Sequence, residues 1–128
     1  MTERPARRTV ASGVAWLRVG VGLALTFAPR SVLKLQSEGE PSGSFLLMTR
    51  TVGIRDLVVG LGSVSAARSS NDDDVRRWVI VGLLSDVLDI AAAATSTRSI
   101  GKRAALVAAL VPIPVVAADL RALRLLRR

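Results

Sequence analysis

The sequence contains no cysteine, no histidine and no tyrosine. Without cysteine there is no disulfide framework and no thiolate metal site. Without histidine there is no Ser-His-Asp triad, no Cys-His dyad and no histidine-ligated zinc. Any acid–base chemistry therefore falls to Asp, Glu, Lys or Arg. Aromatic residues make up only 3% and no basic motif is interleaved with them, so the formal charge of +8 is not read as a nucleic-acid surface. Long uncharged runs are missing as well: nowhere are ~18 consecutive residues free of charge.

What is present is a pattern. Half of the 128 residues are hydrophobic, an ordinary fraction for one domain, but the charges gather in short clusters and leave four apolar stretches between them. Helices are expected at about 9–29, 44–67, 78–97 and 104–120. Each is close to the ~20 residues that cross a ~30 Å hydrocarbon layer, and each carries Leu, Val, Ala and Ile all round rather than on one face. The expected fold is an all-α integral membrane four-helix bundle, a single transmembrane domain over 1–128. A soluble four-helix bundle is the competing architecture. A cleaved signal beginning at Arg7-Arg8 fits poorly with three further apolar segments.

Lys and Arg in short loops set orientation. Ten lie in the N-terminus, the second loop and the C-terminus, against Arg30, Lys34, Arg98, Lys102 and Arg103 on the other side. Both termini are thus expected in the cytoplasm, and the protein in the inner (plasma) membrane as a multi-pass chain. The last residues, Asp119 and Arg121 to Arg128, read as a tail held at the anionic leaflet. Sixteen Arg against Lys34 and Lys102, with abundant Ala and Val, fit a bacterial, GC-rich source.

The loops carry few other signals. Ser31 is a candidate N-cap for a short interfacial helix after Pro29. Ser69 to Val75 reads as a helix start, with an Asn or Asp cap and acidic residues in the first turn. Pro112 and Pro114 would free the carbonyls of Ala108 and Leu110 and kink the fourth helix.

The informative charges are those inside the stretches. On a rise of ~1.5 Å per residue, Arg18 lies ~13 Å from the cytoplasmic face, Asp86 ~12 Å, Asp89 and Asp56 ~16 Å, and Arg55 ~18 Å. Arg50 lies nearer the outer surface and can snorkel. Small residues share the faces of these charges: Ala11, Ala15 and Gly22 with Arg18, Gly53 and Gly60 with Asp56, Gly82 and Ala93 with Asp86 and Asp89. Such stripes let helices approach closely, so they should face the bundle interior. Arg55 and Asp56, being adjacent, point ~100° apart and are expected to meet different neighbours.

Charge at the bilayer centre costs roughly 3 kcal/mol per residue on insertion scales, which implies pairing or water. Two Arg against three Asp leaves one carboxylate over, assigned to Asp86 or Asp89, and it would be protonated, wet or bound to a cation or ligand. A proton-holding carboxyl suits a donor or relay. The plainer reading is that the Arg–Asp pairs fix helix register. Asp86-Val-Leu-Asp89 has the D-x-x-D spacing by which membrane prenyltransferases hold magnesium diphosphates, but those enzymes have a second acidic motif and more helices. No metal site and no cofactor are therefore expected.

The set Arg50-Thr-Val-Gly-Ile-Arg-Asp-Leu-Val-Val-Gly60, Arg77-Trp and Leu83-Leu-Ser-Asp-Val-Leu-Asp89 resembles a family of small four-helix bacterial membrane proteins of unknown function, with G-x-R-D on the second helix and D-x-x-D on the third. More loosely it resembles DoxX-like proteins. The resemblance implies the four-helix fold and marks Gly53, Arg55, Asp56, Asp86 and Asp89.

The expected function is a membrane-embedded binding protein or enzyme for a hydrophobic small molecule or lipid, of isoprenoid, sterol or polyketide type. In the enzymatic form, an acid–base isomerase, cyclase or epoxide-opening enzyme, Asp86, Asp89 and Asp56 are the catalytic candidates. Arg18, Arg55 and Arg50 bind ligand or stabilise charge. The alternatives are an accessory or oligomeric structural subunit, including a homo-oligomer, and proton or ion transport.

Overall fold

The computed structural model describes residues 3–35, 39–69, 71–96 and 112–126, and between the last two segments residues 98, 102, 106 and 110 alone. Among the described residues the chain is all-α, without strands. Five helices are bounded among these residues: α1 (Glu3–Phe27), α2 (Pro29–Lys34), α3 (Gly43–Arg68), α4 (Asp72–Thr95) and α5 (Ile113–Leu126), and Arg98, Lys102, Leu106 and Leu110 between the last two are helical as well.

Local chemistry sets the helix ends. Ala28 leaves the helical region at φ −125°, ψ 45°, as the residue before a proline is driven to do. Pro29, whose missing amide is harmless in a first turn, then opens α2. The cap expected at Ser31 does not form: the N-cap of α2 is Ala28, with no side-chain bond. Ser42 caps α3, its hydroxyl accepting from Phe45 N at 3.3 Å. Asn71 caps α4 by accepting from Asp73 N at 3.0 Å and donating to Asp74 at 3.1 Å. With Asp72, Asp73 and Asp74 favouring the positive helix end, α4 starts ahead of the apolar stretch at Trp78.

The prolines of the last segment interrupt its helix. Pro112 lies in the turn before α5 and Pro114 in its first turn, and the first ladder bond runs from Val116 N to the Pro112 carbonyl at 2.9 Å. The two prolines thus open α5 directly after helical Leu110, an interruption at the place where the kink is expected. Ala104 and Ala108, on which the expected start and kink of the fourth segment rest, lie outside the described residues. α5 continues to Leu126, past the expected end near Leu120.

α1 and α3 touch backbone to backbone. A methyl group added at Gly22 would sit 2.5 Å from Leu57 N, one at Gly53 2.7 Å from Thr26 N, and one at Gly60 2.8 Å from Val19 N. Three close approaches along one seam leave no room for a side chain on either helix. Beside it lie two small apolar clusters, one of Ala15, Val19 and Val64, the other of Ala11, Ala66, Val75, Val79 and Ala122, which joins α1, α3, α4 and α5.

Large apolar side chains face outwards and charges face inwards. Leu84 is 56% exposed and Leu88 66%, whereas Arg18 is 5% exposed and Asp119 2%. This inverts the usual preference of a water-soluble chain. Two helical segments, Thr9–Phe27 and Asp72–Thr95, are long and apolar enough to cross a membrane. α3 is of similar length but carries Arg50, Arg55 and Asp56 within it.

Candidate functional site

The interior charges come together as one network. α1 contributes Arg18, α3 Arg55 and Asp56, α4 Asp86 and Asp89, and α5 Asp119. Arg18 Nη1 donates to Asp86 Oδ1 at 3.2 Å and Nη2 to Asp86 Oδ2, a two-pronged fit of planar guanidinium to carboxylate. The same Nη2 donates to Asp119 Oδ2 at 2.9 Å. Arg55 holds Asp89 in the same two-pronged way, with both bonds at 2.7 Å, and its Nη2 also donates to Asp56 Oδ1 at 2.9 Å. Asp56 joins the halves, because its Oδ1 lies 4.0 Å from Arg18 Nη1.

Local sequence explains the fit. Gly82, one turn before Asp86 on α4, has no side chain where the Arg18 guanidinium lies: a Cβ there would be 2.8 Å from Nη2 and 3.0 Å from Cζ. Asp119 and Ala122 are both buried, while Arg121 and Arg124 are exposed. A spacing of three residues puts the first two on one helix face and leaves the basic residues on the other.

Several expectations change. Asp119 belongs to the interior, not to the basic tail, so four carboxylates rather than three face Arg18 and Arg55. Asp86 and Asp89 each take two bonds from a guanidinium, from Arg18 and Arg55 respectively, so the surplus belongs to the four carboxylates together rather than to one of this pair. Arg55 and Asp56 do meet different neighbours, Asp89 and Arg18, and in addition bond to each other at 2.9 Å. Arg50 is exposed and stands apart from the network, among the residues lining a groove at the other end of α3.

The network has a closed end and a more open one. The side chains of Arg18, Asp86 and Asp119 are 5%, 7% and 3% exposed, those of Arg55 and Asp89 both 32%. At the closed end a cavity of about 10 Å³ is bounded by Arg18, Asp119, Ser63 and Trp78, space for about one water. Among the described residues the cavity that Arg18 bounds is therefore water-sized rather than ligand-sized. At the open end Arg55 Nε is buried without an acceptor among the described residues. Those residues also contain no group of three or more acidic side chains placed to hold a metal ion.

Formally the network is two guanidiniums against four carboxylates, a surplus of two negative charges in a setting lined by small apolar residues. Protons shared among the carboxylates would neutralise it, and such groups can give and take protons. Comparisons of the chain with protein-family models, with curated proteins and with solved structures give no match.

Proposed function

We propose that the chain is an integral membrane four-helix protein of the bacterial inner membrane, with both termini cytoplasmic, whose Arg–Asp network is the acid–base site for a hydrophobic small molecule. The outward-facing Trp16, Leu17, Ile54, Val58, Leu61, Leu84 and Leu88 around buried Arg18, Asp56, Asp86 and Asp119 support the membrane part: hydrocarbon tolerates the former outside and penalises the latter there. The last helix is the fourth crossing in this reading, since Asp119 must reach the depth of Arg18.

The observation that carries the site is the surplus of two carboxylates. An interior that cannot hold two uncompensated charges holds protons, and Asp is the donor type left to a chain without histidine. Asp89 and Arg55 form the reactive end, being half open beside exposed Ile54, Val58 and Leu88. Asp56 links them to the sealed Arg18, Asp86 and Asp119, which serve as reserve and anchor. The molecule lies against α3 and α4 beside Arg55 and Asp89, whose side chains are the partly exposed ones of the network. Isoprenoids, sterols and polyketide-like compounds reach such a site through the bilayer, and isomerisation, cyclisation or epoxide opening needs the proton an Asp can supply.

A panel of isoprenoid alcohols, sterols and epoxides presented to the protein in nanodiscs tests this reading. Mass spectrometry should detect a retained or altered compound with the native chain, none with Asp89→Asn, and recovery with Asp89→Glu, while circular dichroism stays unchanged. No compound retained or altered by the native chain, with Asp89→Asn lowering thermal stability alone, refutes the site. That outcome favours the second reading, a structural or accessory membrane subunit, which the paired charges and the backbone contacts of Gly22, Gly53 and Gly60 support. Copurification of the chain with a larger membrane complex would strengthen it.

A further inference from the structure

A second concave site lies at the far end of the α1–α3 seam. Where α1 stops at Phe27, the chain turns through Ala28 into α2, and α3 begins at Gly43 alongside. The notch between them is a groove of about 570 Å³, within the ~300–1,000 Å³ range of small-molecule sites and far larger than the cavity at the network. Its walls include Phe27, Pro29, Leu46 and Leu47, and its charged side chains are Arg30 and Arg50. Phe27 is 75% exposed and Leu47 68%.

The charge of the groove is one-sided. Among the described residues no acidic side chain lines it. Arg50 makes no hydrogen bond or ion pair among the described residues. The nearby acid, Glu40, pairs with Lys34 at 3.0 Å and also lies within electrostatic reach of Arg30, which leaves Arg50 as the cation of the groove without an acidic partner among the described residues. Guanidiniums bind phosphate through paired N–H donors, apolar walls suit acyl chains, and the lack of a carboxylate leaves nothing to hold a quaternary ammonium.

We infer that this groove binds an anionic phospholipid, with Arg30 and Arg50 holding the phosphate and the acyl chains lying over Phe27, Leu46 and Leu47. The site is separate from the Arg–Asp network and rests only on the membrane part of the proposed function. The lipid would occupy the non-cytoplasmic leaflet, at the end of the bundle opposite the termini.

Native mass spectrometry of the detergent-purified chain with equal amounts of dioleoyl phosphatidylglycerol and dioleoyl phosphatidylcholine tests the site. Phosphatidylglycerol should be retained preferentially. Arg30→Gln and Arg50→Gln should each weaken its retention about five-fold, as expected for one charge at a lipid surface, and Arg77→Gln, at the opposite end, should not. Equal retention of the two lipids, or retention indifferent to both groove variants, overturns the assignment. Displacement by inorganic phosphate at the lipid's own concentration also overturns it, by identifying a free anion as the occupant. Release of the expressed chain from membranes by alkaline carbonate would instead remove the membrane reading itself, so the two failures are told apart.

Discussion

Replacing Arg18 by Met removes the cation that Asp86 and Asp119 share while leaving most of the aliphatic stem in place. Their side chains are 7% and 3% exposed, so neither carboxylate can turn to solvent. Breaking one buried ion pair by deleting a partner costs about 3–5 kcal/mol, and here one deletion strands two carboxylates. Proton uptake by both caps the loss, which places Arg18→Met near the upper part of that range, ~4–5 kcal/mol. That is a large fraction of the ~5–15 kcal/mol by which folded domains are stable. Denaturant unfolding of the detergent-solubilised protein, followed by circular dichroism and by the fluorescence of Trp78 beside the Arg18 cavity, measures it. Because an interior without charges is about as stable as one with a complete ion pair, Asp86→Asn with Asp119→Asn in the Arg18→Met background should restore at least ~2 kcal/mol. A loss below ~1 kcal/mol for Arg18→Met, or no restoration in the triple variant, refutes the network as a sealed electrostatic unit.

Glycines on the two sides of α1 should respond with opposite sign. Gly20→Ala meets nothing within 4 Å and should stabilise by ~0.5–1 kcal/mol through helix propensity, whereas Gly22→Ala drives a methyl into the Leu57 backbone and should cost ~1–3 kcal/mol; the same unfolding assay ranks them. Asn71→Ala removes the cap of α4 and should lower stability by about 1 kcal/mol, with faster hydrogen exchange confined to the first turn of that helix. In the loop before α3, the Lys34 ammonium holds the Glu40 carboxyl below its ordinary value. The stability this contributes is present above the unfolded-state value and lost as pH falls through the folded one. Lys34→Gln should let Glu40 titrate higher in an NMR titration, without a measurable change in the unfolding midpoint.

The sequence by itself exposed five members of the network. Arg18, Arg55, Asp56, Asp86 and Asp89 stand out because each interrupts an apolar stretch, and the small residues at helical spacing around them gave their facing. Asp119 was hidden by its neighbours: among Arg121, Arg124, Arg127 and Arg128 it looks like one more tail charge. The available signal was the i, i+3 pair Asp119 and Ala122, opposite in facing to Arg121 and Arg124, but a depth scale that ended the last helix near Leu120 placed it at the surface.

Pairing followed from helix packing alone. Periodicity says which way a Cβ points, but a guanidinium sits several bonds beyond it, so which carboxylate Arg55 or Arg18 reaches depends on helix separation and rotation. Those are set by the contacts of Gly22, Gly53 and Gly60 and by the gap at Gly82. Composition thus determined what kind of chemistry is open to this chain, carboxylates and guanidiniums in an apolar setting. Packing determined where they meet, because distances between side chains on different helices are not written in the spacing along any one of them.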